Sequence, residues 1–258
     1  MSSDLATGSA ASRHPQDWYV EQMWTVRALM RMVTFGKDSV IWDPCCGLGT
    51  IPLAFCEAGY KAAGTDLVDR WLPWSLPLFL GEHDFLGAQR HMLESALIFD
   101  IVANPPFSYE EAMAERFVRR ALRVARGKVC MLLPLKWRAS ETRFPLFEEY
   151  PPKDILVFCD RPSMPPGNML DAIDARGRLT AWQRGKVDYC WYVWDRHHFP
   201  RPDTIIRSIP PRSAEQKRAD RDEDLRRVRV LPVDRVEQLM GGVHHIINDH
   251  FRERRAAQ

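Results

Sequence analysis

Val26, Leu29, Met30 and Val33 recur at the three-to-four-residue spacing of one helix face, which predicts an amphipathic helix over Asp17 to Val33. The period then changes. Ser39 to Asp43 is a short apolar run closed by an acid, the pattern of a buried strand, and Pro44 to Gly49 is a glycine-containing turn. Thr50 to Ala58 reads as a helix stopped by Gly59, and Tyr60 to Asp66 as a second strand ending in an acid. A third strand is expected within Leu78 to Phe85. Leu97 to Ala103 is far clearer, with two isoleucines and a valine around the single acid Asp100, and predicts a fourth. Glu110 to Arg126 reads as a helix stopped by Gly127, Val129 to Leu133 as a fifth strand, and Ser140 to Tyr150 as a helix despite Pro145. Asp154 to Cys159 and Asp188 to Trp194 complete the set of strands.

Strands that alternate with helices imply an α/β fold, with a mostly parallel seven-stranded sheet and helices on both faces. Residues 17–210 form the main domain on this reading. Residues 1–16, rich in Ser, Ala and Gly with no apolar core, are expected to be a flexible leader rather than a signal peptide. Two stretches fall outside the alternation. Residues 161–186 carry Pro162, Pro165, Pro166, Gly167, Gly177 and Gly185, with five basic residues against two acidic, and read as an insertion. Residues 211–258 read as a charged C-terminal helical extension, with seven basic residues against five acidic between Arg212 and Arg229 and a helical piece over Leu231 to Arg255.

Composition narrows the class without naming a function. The 258 residues are 45% hydrophobic and 27% charged, an ordinary globule that needs no metal or disulfide staple. A net charge of +2 does not predict a nucleic-acid partner, so any basic surface must be local. Cys45, Cys46, Cys56, Cys130, Cys159 and Cys190 contain no C-x-x-C spacing and mostly sit in apolar runs, as buried thiols do. No H-x-E accompanies Pro44-Cys45-Cys46, which disfavours a zinc deaminase, and no metal site is expected. The longest apolar stretch, Trp71 to Leu80, is interrupted by Pro73 and Pro77 and is too short to span a bilayer, so a cytoplasmic protein without membrane contact is expected. Trp71 and Trp74 are expected in the core, and His244 and His245 on a helix face.

Three motifs carry chemistry. Asp43-Pro44-Cys45-Cys46-Gly47-Leu48-Gly49-Thr50 joins a strand to a helix, and its glycines let backbone approach a ligand. A third glycine where Pro52 stands would be needed for a dinucleotide fingerprint, which counts against NAD. Asp66, 17 residues beyond Gly49, sits where an acid reads ribose hydroxyls in nucleoside-binding α/β folds. Asp84-Phe85 could hold an adenine ring, the acid on its amine and the ring on its face, although core packing of Phe85 is equally open. Asn104-Pro105-Pro106-Phe107 closes the strongest strand. Two consecutive prolines stiffen the backbone and remove two N–H donors, leaving carbonyls free to accept. An amide oxygen beside a rigid carbonyl makes a paired acceptor for a flat NH₂ group, and Phe107 offers a face for a planar ring.

The order D-P-C-C-G-L-G-T, G-T-D, D-F-L and N-P-P-F resembles that of S-adenosylmethionine-dependent amino-methyltransferases, above all the adenine-N6 DNA methyltransferases of small phage and prophage type. Arg161 to Met164 and Lys186 to Trp194 are similar to later stretches of the same family, so the resemblance covers Asp17 to Trp194. It implies a Rossmann-like methyltransferase fold and S-adenosylmethionine as cofactor. Asp43, Cys45, Gly47 and Gly49 would line the methionine part, Asp66 would hold the ribose, and Asp84 with Phe85 the cofactor adenine. Tyr19 would belong to an upstream cofactor motif, in which Val20-Glu21 departs from the usual Thr-Pro. Asn104 and Pro105 would hold the target amine, with Pro106 stiffening the turn and Phe107 stacking on the target base. Sequence recognition would need a further surface, for which Arg176, Arg178, Arg184 and Lys186 beside Trp182 are the candidate nucleic-acid contacts, a solvated insertion being equally open. The implied reaction is methyl transfer to adenine N6 in DNA. The same motif also occurs in enzymes that methylate adenine in RNA or glutamine in a protein, and a non-catalytic binding subunit is a further alternative.

Overall fold

A computed structural model describes residues 18–70, 78–88, 99–106, 112–170, 180–183, 185–198 and 203–229. Its centre is built from runs that are apolar on both faces. Those strands are β1 (Val40–Asp43), β2 (Lys61–Asp66), β4 (Phe99–Ala103), β5 (Lys128–Pro134), β6 (Asp154–Phe158) and β7 (Tyr189–Asp195). With β3 (Phe79–Glu82) and β8 (Ile205–Ile209) they form one sheet in the order β3-β2-β1-β4-β5-β7-β6-β8. Neighbours from β3 to β5 run parallel, β7 runs antiparallel to both β5 and β6, and β8 is parallel to β6. This is a Rossmann-like α/β sheet, mostly parallel, with one strand more than the seven expected.

Side chains alternate across the strands and so feed two cores. Val102, Cys130, Leu132, Leu156, Trp191 and Val193 face α1 (Met23–Met32) and α2 (Thr50–Glu57). Ile101, Ala103, Val129, Met131, Leu133, Ile155, Tyr192 and Trp194 face α3 (Met113–Val124) and α4 (Phe144–Glu149). The chain leaves β1 toward β2 and β3 on one side, then returns to lay β4 on the other. That reversal opens a crevice at the carboxyl ends of β1 and β4, where open α/β sheets bind ligands.

Several expected elements are corrected. The helix predicted from Asp17 begins at Met23, because residues 18–20 are extended and pair with the 165–167 segment. The helix predicted from Ser140 begins at Phe144, with Pro145 in its first turn, where a missing N–H costs nothing. β8 went unpredicted because four of its five residues are exposed, so neither alternation nor a continuous apolar run marks it. A helix does occupy the charge-dense stretch: α5 (Ala214–Arg229), capped reciprocally by Ser213 and Gln216. No helix among the described residues is long and apolar enough to cross a membrane. The leader, Trp71, Trp74, the 231–255 piece, His244 and His245 lie outside the described residues.

Candidate functional site

The site begins with the turn after β1. Gly47 takes a left-handed φ of 49°, and its N–H donates to Asp66 Oδ2 at 2.8 Å, joining the ends of β1 and β2. The Trp18 indole lies against this turn. A Cβ on Gly47 would stand 3.1 Å from Trp18 Nε1, and one on Gly167 would collide with Trp18 Cε2. Two glycines therefore clear the space that the indole fills. Residues 18–20 are held there by backbone hydrogen bonds, Val20 N to Pro165 O at 3.0 Å and Gly167 N to Trp18 O at 3.1 Å. Val20 and Leu48 then share a small core with Leu170, Ala181 and Trp182. The 161–186 insertion is thus partly a clamp on the N-terminal segment rather than a free surface.

One cavity gathers most of the residues singled out from the sequence. Tyr19, Cys45, Gly47, Asp66, Asp84, Phe85, Asn104, Pro105 and Pro106 all line it. Asp43 and Gly49 do not. Asp43 is buried under the turn, where its Oδ1 accepts the Cys45 N–H at 3.1 Å, and Gly49 delivers the chain into α2 with a φ of 76°. Lys186 is exposed and lines no part of the cavity. Phe107, Arg176, Arg178 and Arg184 lie outside the described residues.

Asp66 is more occupied than a simple ribose acceptor would be. Its Oδ1 accepts from Arg70 Nη1 at 2.6 Å and from Val68 N at 3.2 Å. Phe85 is a wall rather than an open stacking face: it meets Trp42 edge-on at 5.4 Å and Phe117 at 5.2 Å. Asp84 Oδ1 accepts the Leu86 N–H at 3.0 Å, which shapes the turn after β3.

The electrostatics of the site are set by buried acids. Burial pushes the carboxyls of Glu21, Asp43 and Asp66 above the ordinary range, and the charges of Glu21 and Asp66 push Asp43 further. Burial, then Asp43, also holds the Cys45 and Cys46 thiols far from ionisation, so neither acts as a nucleophile. Arg227 opposes the rise at Glu21 and Arg70 opposes it at Asp66, whereas like charge adds to burial on Asp43.

Asn104 closes the site. Its Nδ2 donates to the Tyr19 carbonyl at 3.3 Å and to Glu21 Oε2 at 3.1 Å, while its Oδ1 is buried without a hydrogen-bond partner among the described residues. An orphaned buried acceptor is costly, and its natural remedy is a donor brought by a ligand. Sequence reasoning missed Trp18, Glu21 and Arg70 as cavity residues. The extended path of 18–20 brings Trp18 and Glu21 in, and the only hint of that path was the Pro165-Pro166-Gly167 run that pairs with it.

The sequence matches no protein-family model and no curated protein. Solved structures with a related chain path exist. A protein from Listeria monocytogenes, provisionally described as a class I S-adenosylmethionine-dependent methyltransferase, is 12% identical at a TM-score of 0.47, over 78% of this chain and 68% of that one. A protein from Pyrococcus horikoshii, provisionally described as an RNA methyltransferase, is 13% identical at 0.49, over 67% of this chain and 82% of that one. The M protein of the type I restriction enzyme EcoKI is 11% identical at 0.49, over 77% of this chain and 50% of that one. This chain spans half the length of that M protein. At such identities and scores the likeness concerns chain path alone.

Proposed function

We propose that the protein is an S-adenosylmethionine-dependent N-methyltransferase acting on a planar exocyclic amine, the N6 of adenine in DNA. The observation that carries this reading is the buried Oδ1 of Asn104, without a hydrogen-bond partner among the described residues, on a stiff Asn-Pro-Pro turn beside a cavity lined by the acids Glu21 and Asp66. S-adenosylmethionine, when bound, supplies an electrophilic methyl group on a positively charged sulfur. Glu21, Asp43 and Asp66 supply the negative surroundings that suit such a cation. Gly47 keeps the backbone open beside it, and Asp66 is the acceptor for its ribose hydroxyls. Cys45, Asp84 and Phe85 contribute the remaining wall.

The amine of adenine is a weak nucleophile because its lone pair is delocalised into the ring. Hydrogen bonds from its two N–H groups to Asn104 Oδ1 and the Pro105 carbonyl favour a pyramidal nitrogen with a localised lone pair. Positioning and electrostatics then supply the rate, and no general base is required. Phe107, which follows Pro106 in the sequence, would stack on the target ring. In duplex DNA the adenine must first leave the stack, at a cost of roughly a few kcal/mol. Arg176, Arg178, Arg184 and Lys186 supply the local positive charge for the phosphate backbone.

Incubation with methyl-labelled cofactor and separate DNA, RNA and protein pools tests the proposal. Label in N6-methyladenine of DNA, abolished by Asn104→Ala with cofactor binding intact, is the expected result. Label in RNA or in glutamine would move the substrate class and keep the chemistry, and no label in any pool would refute the activity.

A further inference from the structure

The two ends of the Asn104 amide are treated differently. Nδ2 has acceptors, Tyr19 O and Glu21 Oε2, whereas Oδ1 has no partner among the described residues. An asparagine amide can exchange its oxygen and nitrogen by a half-turn at almost no steric cost, so packing alone does not decide which end faces the cavity. Two acceptors decide it, Glu21 Oε2 at 3.1 Å and the Tyr19 carbonyl at 3.3 Å, because the turned amide would set oxygen against oxygen.

Glu21 is itself held from behind. The Thr50 hydroxyl hydrogen-bonds to Glu21 and accepts from Arg227 Nη2 at 3.0 Å. Arg227 is 3% exposed and comes from α5, more than a hundred and seventy residues along the chain. Asp224, one turn earlier and fully buried, lies 3.7 Å from Arg227 Nη1. It also accepts from Gln22 Nε2 at 3.0 Å and from Met23 N at 3.2 Å, anchoring the residues that follow Glu21. A helix this rich in charge would ordinarily keep its ions in water. Burying this pair without a use would be costly.

We propose that the C-terminal helix α5 orients Asn104: Arg227 supports Thr50 and Glu21, and Glu21 pins the amide so that Oδ1 faces the cavity. Glu21 and Arg227 are positioning residues, acting through Asn104. The consequence for turnover rests on the methyltransferase reading, but the orientation itself does not.

The test reads the amide directly, by the side-chain NH₂ resonances of Asn104 in ¹⁵N-asparagine-labelled full-length protein, assigned by their loss in Asn104→Asp. Glu21→Ala is expected to move these resonances toward the position of an unrestrained asparagine, with only the Tyr19 carbonyl left as acceptor, Glu21→Gln to keep them near wild type through its remaining acceptor, and Arg227→Met to shift them partway. In turnover at saturating cofactor, Glu21→Ala is expected to lower kcat by about 100-fold, the scale of a misplaced reacting group, in addition to the weaker cofactor binding that loss of its charge brings. Glu21→Gln should recover most of that loss. Should Glu21→Ala fail to fold, Glu21→Asp withdraws the carboxylate by one methylene and is read the same way. Asn104 resonances unmoved in these variants would overturn the proposal whatever the substrate. Resonances that move as expected, in a protein that methylates none of the three pools, would uphold the positioning and sink the enzymatic reading instead.

Discussion

Arg70 and Asp66 form a largely buried ion pair in the lining of the cavity, Nη1 to Oδ1 at 2.6 Å, with the guanidinium 5.0 Å over the Trp18 ring. The arginine does two things there: it offsets the burial that pushes the Asp66 carboxyl up, and it occupies an oxygen that a ribose would also use.

Replacing Arg70 exposes the first of these roles. Without the guanidinium the Asp66 carboxyl rises further, and its protonated form no longer accepts freely. Cofactor affinity is lost as pH falls through that pKa, so Arg70→Met should move the midpoint of the loss to higher pH. Calorimetric titration of both proteins across a pH series checks it. An unshifted midpoint would show that Asp66 does not carry the binding.

Gly47→Ala strains a left-handed residue and drives a Cβ to 3.1 Å from Trp18 Nε1. It should cost about 1–3 kcal/mol of stability and weaken cofactor binding. Gly59 is the control, with a φ of 84° and nothing within 4 Å of an added Cβ. Gly59→Ala should destabilise through the backbone alone and leave affinity unchanged. Thermal melts paired with binding isotherms separate the two effects.

Burial raises the Asp224 carboxyl to about 6, against an opposing pull from Arg227. Between the ordinary aspartate value and 6, the folded protein holds a proton that the unfolded chain has released. The resulting stabilisation is complete below pH 4 and is lost as pH rises through 6. Wild type should therefore gain stability relative to Asp224→Asn on acidification from pH 7 to pH 4, by at most about 3 kcal/mol. Urea melts of both proteins across that range give the difference directly, and parallel curves would refute the raised value.

Charge reversal at Arg176 and Arg178 should weaken DNA binding and flatten its dependence on salt, because each lost phosphate contact releases fewer counterions. Binding isotherms at several salt concentrations measure that slope, and an unaltered slope would remove the 161–186 segment from the interface.

The sequence alone determined the alternation of strands and helices, the glycine turn after β1 and the stiff Asn104-Pro105-Pro106 end of β4, since period, turn chemistry and proline rigidity are properties of neighbouring residues. It also marked Asp66 and Asp84, which chain order places at strand ends on one edge of the sheet. Tertiary structure decided what those residues meet. Glu21 reaches Asn104 across 83 positions and Arg227 reaches Thr50 across 177, distances at which no periodicity carries information. The same holds for residues 18–20, which a helical period would have continued but which a partner at 165–167 holds extended. The exposed edge strand β8 gains its identity from pairing with β6 alone. Local pattern fixes an element where its own side chains supply the burial, and where burial or hydrogen bonding comes from distant chain, only the folded arrangement reveals it.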